Sequence, residues 1–166
     1  MMVWNVRGIG TLKKCLRNLV RKYSISMLAI SEPFIEESMF HFTKFLDFPN
    51  YCSDEAMRGK VWVMWNGHDD FEVVSMLDQM ITGWVVLNGI KVFVTFVYAK
   101  CSFYKRRGLW TDLVALQVGL NPWLIVGDFN IIQEDGEQIG GQPRPLAAME
   151  EFNNCLNNCG VVDLKF

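Results

Sequence analysis

Three short apolar runs along this chain each contain or lead into a polar residue that can form hydrogen bonds. The runs cover residues 1–6, 25–30 and 123–126, and the polar residues are Asn5, Glu32, Asp128 and Asn130. Short, predominantly apolar runs of about four to eight residues are typical of strands that are buried on both faces. Polar side chains at the ends of such strands are where α/β folds build their sites. The pattern therefore predicts an α/β (α+β) fold with a polar site at one edge of its sheets.

The middle of the chain has the composition of strands and turns. β-Branched and aromatic side chains are concentrated in residues 61–65, 71–76, 80–87 and 90–99. Asn66-Gly67 follows the first of these segments and Asn88-Gly89 separates the last two, and both dipeptides are strong hairpin signals. Several antiparallel strands mixed with helices predict two sheets packed together, with the helices outside.

Helical periodicity is clearest at residues 12–23. The apolar side chains recur there at spacings of three and four residues and form one stripe, made of Leu12, Cys15, Leu16, Leu19, Val20 and Tyr23. The opposite side is basic and carries Lys13, Lys14, Arg17, Arg21 and Lys22. This basic side either contacts phosphates or is a solvated outer surface, and the solvated surface is the simpler interpretation. Two further helices are predicted at residues 106–118 and 147–158.

The composition limits the class of protein. A length of 166 residues suits one domain, and 51% hydrophobic against 20% charged residues provides material for a core. The apolar stretches all fall short of the roughly 18 residues of a membrane span, and no secretory signal is visible. We therefore expect an intracellular protein, with nucleus and cytoplasm both open. A net charge of −2 argues against wholesale coating of nucleic acid but leaves room for a local basic face.

The cysteines predict free thiols. There are five, none of them in a CxxC pair, and an odd count without a secretory signal is typical of a reducing compartment. Cys155 and Cys159 are four residues apart on a predicted helix, which would place two metal ligands on one face. No histidine or further cysteine is nearby to complete a zinc site, so we interpret the pair as core thiols.

The polar residues at the strand ends suit the hydrolysis of a phosphodiester. Glu32 offers the hard oxygen that Mg²⁺ or Mn²⁺ prefers, and Asp128 can hold and polarise an attacking water. Asn5 and Asn130 can donate hydrogen bonds to phosphate oxygens or orient neighbouring groups, in either case without adding negative charge. Tyr98, at the end of the predicted strand at residues 92–97, can donate its hydroxyl to a phosphoryl transition state. Taken one at a time, the same residues are better explained as strand-end caps and turn residues.

Four motifs in a fixed order join these residues into a resemblance. They are Trp4-Asn5-Val6-Arg7-Gly8, Ile30-Ser31-Glu32-Pro33, Val97-Tyr98-Ala99 and Val126-Gly127-Asp128-Phe129-Asn130. Their order and spacing resemble the endonuclease/exonuclease/phosphatase superfamily. The apurinic-type endonuclease domain of plant LINE (non-LTR) retrotransposons is the branch that the chain resembles most. The resemblance extends over almost the whole of residues 1–166, as a partial domain of that kind.

The resemblance implies a fold, a cofactor and a reaction. The fold is a four-layer sandwich of two mixed β-sheets flanked by helices, and the reaction is the nicking of a DNA phosphodiester. One divalent ion, Mg²⁺ or Mn²⁺, is implied, with no small organic cofactor. Glu32 matches the family's metal ligand, Asn5 its first-strand asparagine and Tyr98 its phosphate-side tyrosine. Asp128 and Asn130 match the residues that arrange the nucleophile and the scissile phosphate.

Three departures from the family pattern bear on activity. The Ser-Asp-His motif that closes the family's catalytic centre is missing, because the only histidines are His41 and His68. We therefore expect a C-terminally truncated sandwich with little or no nicking activity. Lys60 replaces a second glycine, with an effect expected to be local to the strand entrance. Arg7 stands where related enzymes often have an acid, so the metal should bind weakly.

Other functional classes stay open. The first is a non-catalytic interaction module, or a degenerate retroelement fragment, whose exposed sheet edge pairs with another chain or with a second copy. The second is a phosphatase of phosphoinositides or nucleotides, although nothing in the middle loops resembles those groups. In none of these alternatives is a membrane partner expected.

Overall fold

A computed structural model describes residues 1–34, 38–54, 60–67, 71–116 and 118–164 of the chain. The fold divides into two compact units. The first, Met1–Tyr98 with Asn121–Asp128, contains the strands and is called the sheet unit below. The second, Ala99–Leu120 with Phe129–Phe166, is called the helical unit, because its described residues include two α-helices.

The described residues of the sheet unit form two α-helices and eight strands. In chain order these are β1 (Met2–Asn5), α1 (Lys13–Lys22), β2 (Met27–Ser31), α2 (Met39–Leu46), β3 (Asn50–Ser53), β4 (Val61–Trp65), β5 (Glu72–Leu77), β6 (Met80–Leu87), β7 (Ile90–Tyr98) and β8 (Trp123–Asp128). The first sheet has the strand order β1-β2-β4-β3 and the second has the order β5-β6-β7-β8. β1 pairs with β2 and β7 with β8 in parallel, whereas the other neighbours are antiparallel. The predicted fold class, α/β with two mixed sheets and flanking helices, is confirmed.

The burial of β2 explains why its sequence is apolar without alternation. Leu28 and Ile30 pack into a core with α1 and α2, represented by Leu16 and Phe42. Met27 and Ala29 point to the opposite face, into a core shared with residues of β6, β7 and β8. The strand is therefore buried on both sides, between the helices and the second sheet.

The helical unit is built from α3 (Phe103–Ala115) and α4 (Leu146–Cys159), which pack on each other. The rings of Trp110 and Phe152 stack with their centroids 5.2 Å apart. Arg107 donates to the Glu151 carboxylate in a two-pronged ion pair, with a shortest distance of 2.6 Å. Cys155 is buried and Cys159 is half-buried, and all five cysteines are free thiols, as the sequence predicts.

Some local predictions are corrected by the structure. Asn88-Gly89 does turn β6 onto β7, since Leu87 pairs with Ile90 and both turn residues have positive φ. The hairpin predicted at Asn66-Gly67 is wrong, because β4 and β5 belong to different sheets. The apolar stripe predicted on α1 is narrower than expected, because Leu16 and Val20 are buried whereas Cys15 is exposed and Tyr23, beyond the helix, is 60% exposed.

The remaining differences concern elements that the sequence left unassigned. The sequence had predicted no element at α2 or β3, and α3 begins at Phe103 rather than at residue 106.

The basic side of α1 is occupied by a surface ion-pair cluster, in which Arg17 and Arg21 both contact Asp47, at 3.5 and 2.8 Å. Within the described part of the chain, no helix combines the length and the hydropathy needed to span a membrane.

Candidate active site

Asn5, the last residue of β1, forms a hydrogen bond to Asp128, the last residue of β8. Its Nδ2 donates to Asp128 Oδ2 at 2.8 Å. The other end of the same amide is also fixed, because Asn5 Oδ1 accepts a hydrogen bond of 3.2 Å from the Arg7 backbone N–H. An asparagine that bonds the backbone two residues onward forms an Asx-turn, which here aims the amide nitrogen at the carboxylate. The side chain of Asn5 therefore holds Asp128 in one orientation.

Glu32 and Tyr98 form a second side-chain hydrogen bond between the two sheets. Glu32 directly follows β2 and Tyr98 ends β7. The Tyr98 hydroxyl donates a short hydrogen bond to Glu32 Oε1. The Tyr98 ring is buried in the core between the sheets, so burial fixes the direction of the hydroxyl.

Strand pairing joins these two contacts into one site. In the first sheet, Asn5 is the partner of Ser31, the neighbour of Glu32. In the second sheet, Tyr98 is the partner of Asp128. Paired strands lie about 4.8 Å apart. The four residues thus form a closed ring, which is joined by two hydrogen bonds between the sheets and two strand pairings within them. The structure therefore brings together four of the five predicted site residues.

The loops after β1 and β2 adopt unusual backbone conformations at this site. Arg7 and Glu32 have φ values of 43° and 55°, in the left-handed region that non-glycine residues rarely adopt. Backbone hydrogen bonds hold Glu32 there: its N–H donates to the Lys60 carbonyl at 3.0 Å, and its carbonyl accepts from Gly8 N–H at 2.7 Å. Strained backbone of this kind clusters at functional sites, because the surrounding structure must sustain its cost.

Gly127 is required by the pairing of β7 and β8. Its φ is 145°, and a Cβ at this position would overlap the backbone carbonyl of Val97 on the neighbouring strand. Only glycine allows the two strands to approach here. The glycine before Asp128 therefore places the carboxylate beside Tyr98.

Asn130 belongs to the helical unit. Its Nδ2 donates to the Ala99 carbonyl at 2.7 Å, and its own carbonyl accepts a bond of 2.7 Å from Arg106 Nη1. With a φ of 52°, Asn130 also adopts the left-handed conformation. The amide of Asn130 thus has a structural bond to the backbone, and its predicted contact with phosphate stays a prediction.

Arg106 has a role that the sequence did not indicate. It is 4% exposed, and its Nη1 donates to the carbonyls of Lys100, Cys101 and Asn130. Burial lowers the pKa of its guanidinium, although an arginine remains charged in proteins. One sequence signal indicates this role of Arg106: helical periodicity places the arginine on the buried face of α3, where a cationic side chain is unusual.

Lys60 also contacts the site, contrary to the expected local effect at the strand entrance. Its Nζ is 3.8 Å from Glu32 Oε1 and 5.4 Å from the centroid of the Tyr98 ring. The position that resembles a family glycine therefore places a positive charge against the predicted metal ligand. The sequence could not indicate this contact, because Lys60 is 28 positions from Glu32 and 38 from Tyr98.

Glu32 is the residue of this site that could hold a hydrated divalent ion through a carboxylate oxygen. Tyr98 and Lys60 both approach Oε1 of Glu32, and among the described residues no donor contacts its Oε2. The same residues include no cluster of three or more Asp, Glu, His or Cys side chains that could enclose an ion. Mg²⁺ is commonly bound through only one or two carboxylates, because it keeps several of its waters.

The histidines add nothing to this site within the described residues. His41 lies on α2, where its Nδ1 is 2.9 Å from the Ser38 hydroxyl. This agrees with its interpretation as a surface histidine. His68 lies outside the described residues.

Comparison with known proteins gives similarity of fold. No protein-family model matches the chain, and no curated protein matches its sequence significantly. An AP endonuclease from Archaeoglobus fulgidus aligns with a TM-score of 0.68 and 12% identity, covering 93% of this chain and 68% of that one. An endonuclease/exonuclease/phosphatase family protein from Leptotrichia buccalis aligns with a TM-score of 0.59 and 12% identity, covering 92% and 71%.

TDP2 from Caenorhabditis elegans has the same fold, with a TM-score of 0.59 and 17% identity. The alignment covers 85% of this chain and 49% of that one, so the chain spans about half the length of this relative. These similarities show that the chain has the endonuclease/exonuclease/phosphatase sandwich fold. Identities this low show nothing about the reaction.

Proposed function

We propose that this chain is a phosphodiesterase-type domain that binds the backbone of DNA and uses one divalent metal ion. The observation that carries the proposal is the ring formed by Asn5, Glu32, Tyr98 and Asp128. These residues lie at or directly after four strand ends in two sheets, and two hydrogen bonds and two strand pairings join them. A DNA substrate is further supported by the fold of an AP endonuclease. Action on DNA places the protein inside the cell.

The residues of the site divide the chemistry between them. A bound Mg²⁺ or Mn²⁺ supplies a positive charge that stabilises the developing charge on the phosphate. Glu32 holds the ion through a carboxylate oxygen while Tyr98 fixes the orientation of that carboxylate. Asp128, held by Asn5, accepts a hydrogen bond from the attacking water and orients it. Asn130 is proposed to contact the scissile phosphate.

We further propose that these 166 residues nick DNA weakly on their own. The sequence has no histidine after Asp128, so no imidazole there is available to activate the water. A general acid or base contributes roughly 10²–10⁴-fold to a rate. The chain should therefore bind DNA, hold the metal weakly and cleave slowly.

Nicking of supercoiled plasmid tests the proposal. The purified chain should convert plasmid to the open-circular form slowly with Mg²⁺ or Mn²⁺, and faster when imidazole is added in place of the missing side chain. Glu32→Gln and Asp128→Asn should abolish both activities. Glu72→Gln is the matched control, because Glu72 is an exposed acid on β5 outside the site. Metal-independent nicking, or nicking that survives Glu32→Gln, would contradict the proposal.

The interaction module is the second candidate. The observation in its favour is β5, an outer strand of the second sheet on which Val74 is 53% and Met76 39% exposed. Outer strands with apolar side chains tend to pair with other chains. If no nicking occurs even with imidazole, light scattering should show a dimer that Val74→Lys disrupts. The retroelement origin is a separate proposal, supported if a reverse transcriptase reading frame follows the coding sequence.

A further inference from the structure

Lys60 is surrounded by groups that bind cations. Its ammonium is 3.8 Å from Glu32 Oε1, 4.8 Å from the centroid of the Phe34 ring and 5.4 Å from that of Tyr98. The faces of aromatic rings attract cations, as a carboxylate does. One carboxylate and two rings thus form a cage for a single positive charge.

The backbone keeps this ammonium near Glu32. The Lys60 carbonyl accepts the hydrogen bond from Glu32 N–H at 3.0 Å, so the two residues are joined at the main chain as well as through their side chains. A group tethered in this way acts at a high effective concentration. The side chain of Lys60 is nevertheless 43% exposed, so it can move into solvent without disturbing the core.

Glu32 is the acid that the proposed function assigns to the metal. Its side chain is only 17% exposed, so its charge is partly shielded from water, and Lys60 already offsets that charge. A divalent ion on this carboxylate would meet the repulsion of the ammonium. Metal and lysine therefore compete for the same negative charge.

We propose that Lys60 is a built-in competitor of the divalent ion: its ammonium binds Glu32 when no metal is present and weakens the metal affinity of the site. This inference rests on the proposed function, because it takes Glu32 as the metal ligand. Binding of metal then requires Lys60 to leave the carboxylate. A site of this kind takes up an ion only at high metal concentration.

Metal binding, measured without any reaction, tests the inference. Mn²⁺ is titrated into the full chain, and the free ion is followed by electron paramagnetic resonance. Lys60→Gln, which removes the charge and keeps a polar, somewhat shorter side chain, should bind Mn²⁺ about fivefold more tightly than the natural chain. Lys60→Arg, which keeps the charge, should bind like the natural chain.

Lys91→Gln is the matched control for loss of one positive charge. Lys91 also lies over aromatic rings, with its Nζ 4.1 Å from the Trp84 ring centroid. It is seven residues before Tyr98 on β7, which is roughly 23 Å along a strand. Its removal should leave Mn²⁺ affinity within a factor of about two.

The double variant Glu32→Gln with Lys60→Gln tests whether the ion binds at Glu32. It should lose the gain in Mn²⁺ affinity that is expected of Lys60→Gln alone. Equal affinities of Lys60→Gln and the natural chain, or a gain that survives Glu32→Gln, would overturn the inference. Plasmid nicking tests the proposed function separately. If Lys60→Gln binds Mn²⁺ more tightly but does not nick plasmid, the result supports the competition and contradicts the proposed enzyme activity. If the chain nicks plasmid but Lys60→Gln and the natural chain bind Mn²⁺ equally, the result supports the enzyme activity and contradicts the competition.

Discussion

The side-chain amide of Asn5 donates a 2.8 Å hydrogen bond to the carboxylate of Asp128 across 123 positions of sequence. The bond joins the end of β1 in the first sheet to the end of β8 in the second. Together with the bond from Tyr98 to Glu32, it connects the two sheets at the edge where the strand-end residues meet. The candidate site therefore depends on how the two sheets are packed.

Replacing Asn5 by aspartate should destabilise the sheet unit. Asn5→Asp substitutes a second carboxylate for the amide donor, so two negative charges meet at hydrogen-bonding distance and one of them must take up a proton. We expect a loss of about 1–3 kcal/mol in the free energy of unfolding at pH 7, measured by urea titration. The loss should shrink at acidic pH, where protonation removes the repulsion.

Asn18→Asp is the control for this substitution. Asn18 is exposed on α1, and a new charge there should change stability by less than about 0.5 kcal/mol. Equal effects of the two substitutions would show that the bond between Asn5 and Asp128 contributes nothing.

Gly127→Ala should be strongly destabilising. The added methyl group would overlap the Val97 carbonyl, and the φ of 145° is closed to alanine. Strain and displacement of β8 together should cost about 3 kcal/mol or more in the free energy of unfolding. Gly10→Ala is the control, because a Cβ at Gly10 has open space around it. A Gly127→Ala protein as stable as Gly10→Ala would contradict the geometry.

Arg106→Met should destabilise the helical unit. Methionine fills a similar volume but leaves the carbonyls of Lys100, Cys101 and Asn130 without this donor. We expect a loss of about 3 kcal/mol in chemical denaturation, because hydrogen bonds from a buried charge are costly to remove. The exposed Arg144 provides the control Arg144→Met, which should be nearly neutral. If Arg106→Met is neutral too, the three bonds carry no net stability.

Cys52 should make the protein less stable at alkaline pH. Burial, and then the nearby charge of Asp54, raise the pKa of the Cys52 thiol from 9.0 to about 12. Below pH 9 the thiol is neutral in both states, so it contributes no pH dependence. Between pH 9 and 12 the unfolded chain loses this proton while the folded chain keeps it. Stability therefore falls as pH rises, by at most about 1.4 kcal/mol per pH unit.

Urea titrations from pH 8 to 11 measure this effect. Cys52→Ala should show a shallower decline than the natural chain, whatever its stability at pH 8. Cys101→Ala should decline like the natural chain, because Cys101 is exposed. Parallel declines of all three proteins would show that the Cys52 thiol ionises as easily in the folded state as in the unfolded one.

The sequence by itself determined the elements whose signals are local. Three apolar strands, the turn at Asn88-Gly89 and the polar strand ends all follow from patterns within about ten residues, because a buried strand and a tight turn restrict the residues they contain. The same local view misassigned Asn66-Gly67. A turn dipeptide cannot show whether the next strand joins the same sheet or another one.

Only the tertiary structure decided which of those strand ends meet. The hydrogen bond between Tyr98 and Glu32 spans 66 positions and that between Asn5 and Asp128 spans 123. The contact of Lys60 with Glu32 also left no local signal. Helical periodicity places Arg106 on the buried face of α3, but it does not indicate the three carbonyls that this arginine binds. Such contacts depend on the packing of sheets and helices, which sums many weak apolar contacts across the whole chain. The periodicity of a single segment therefore does not indicate which of these contacts form.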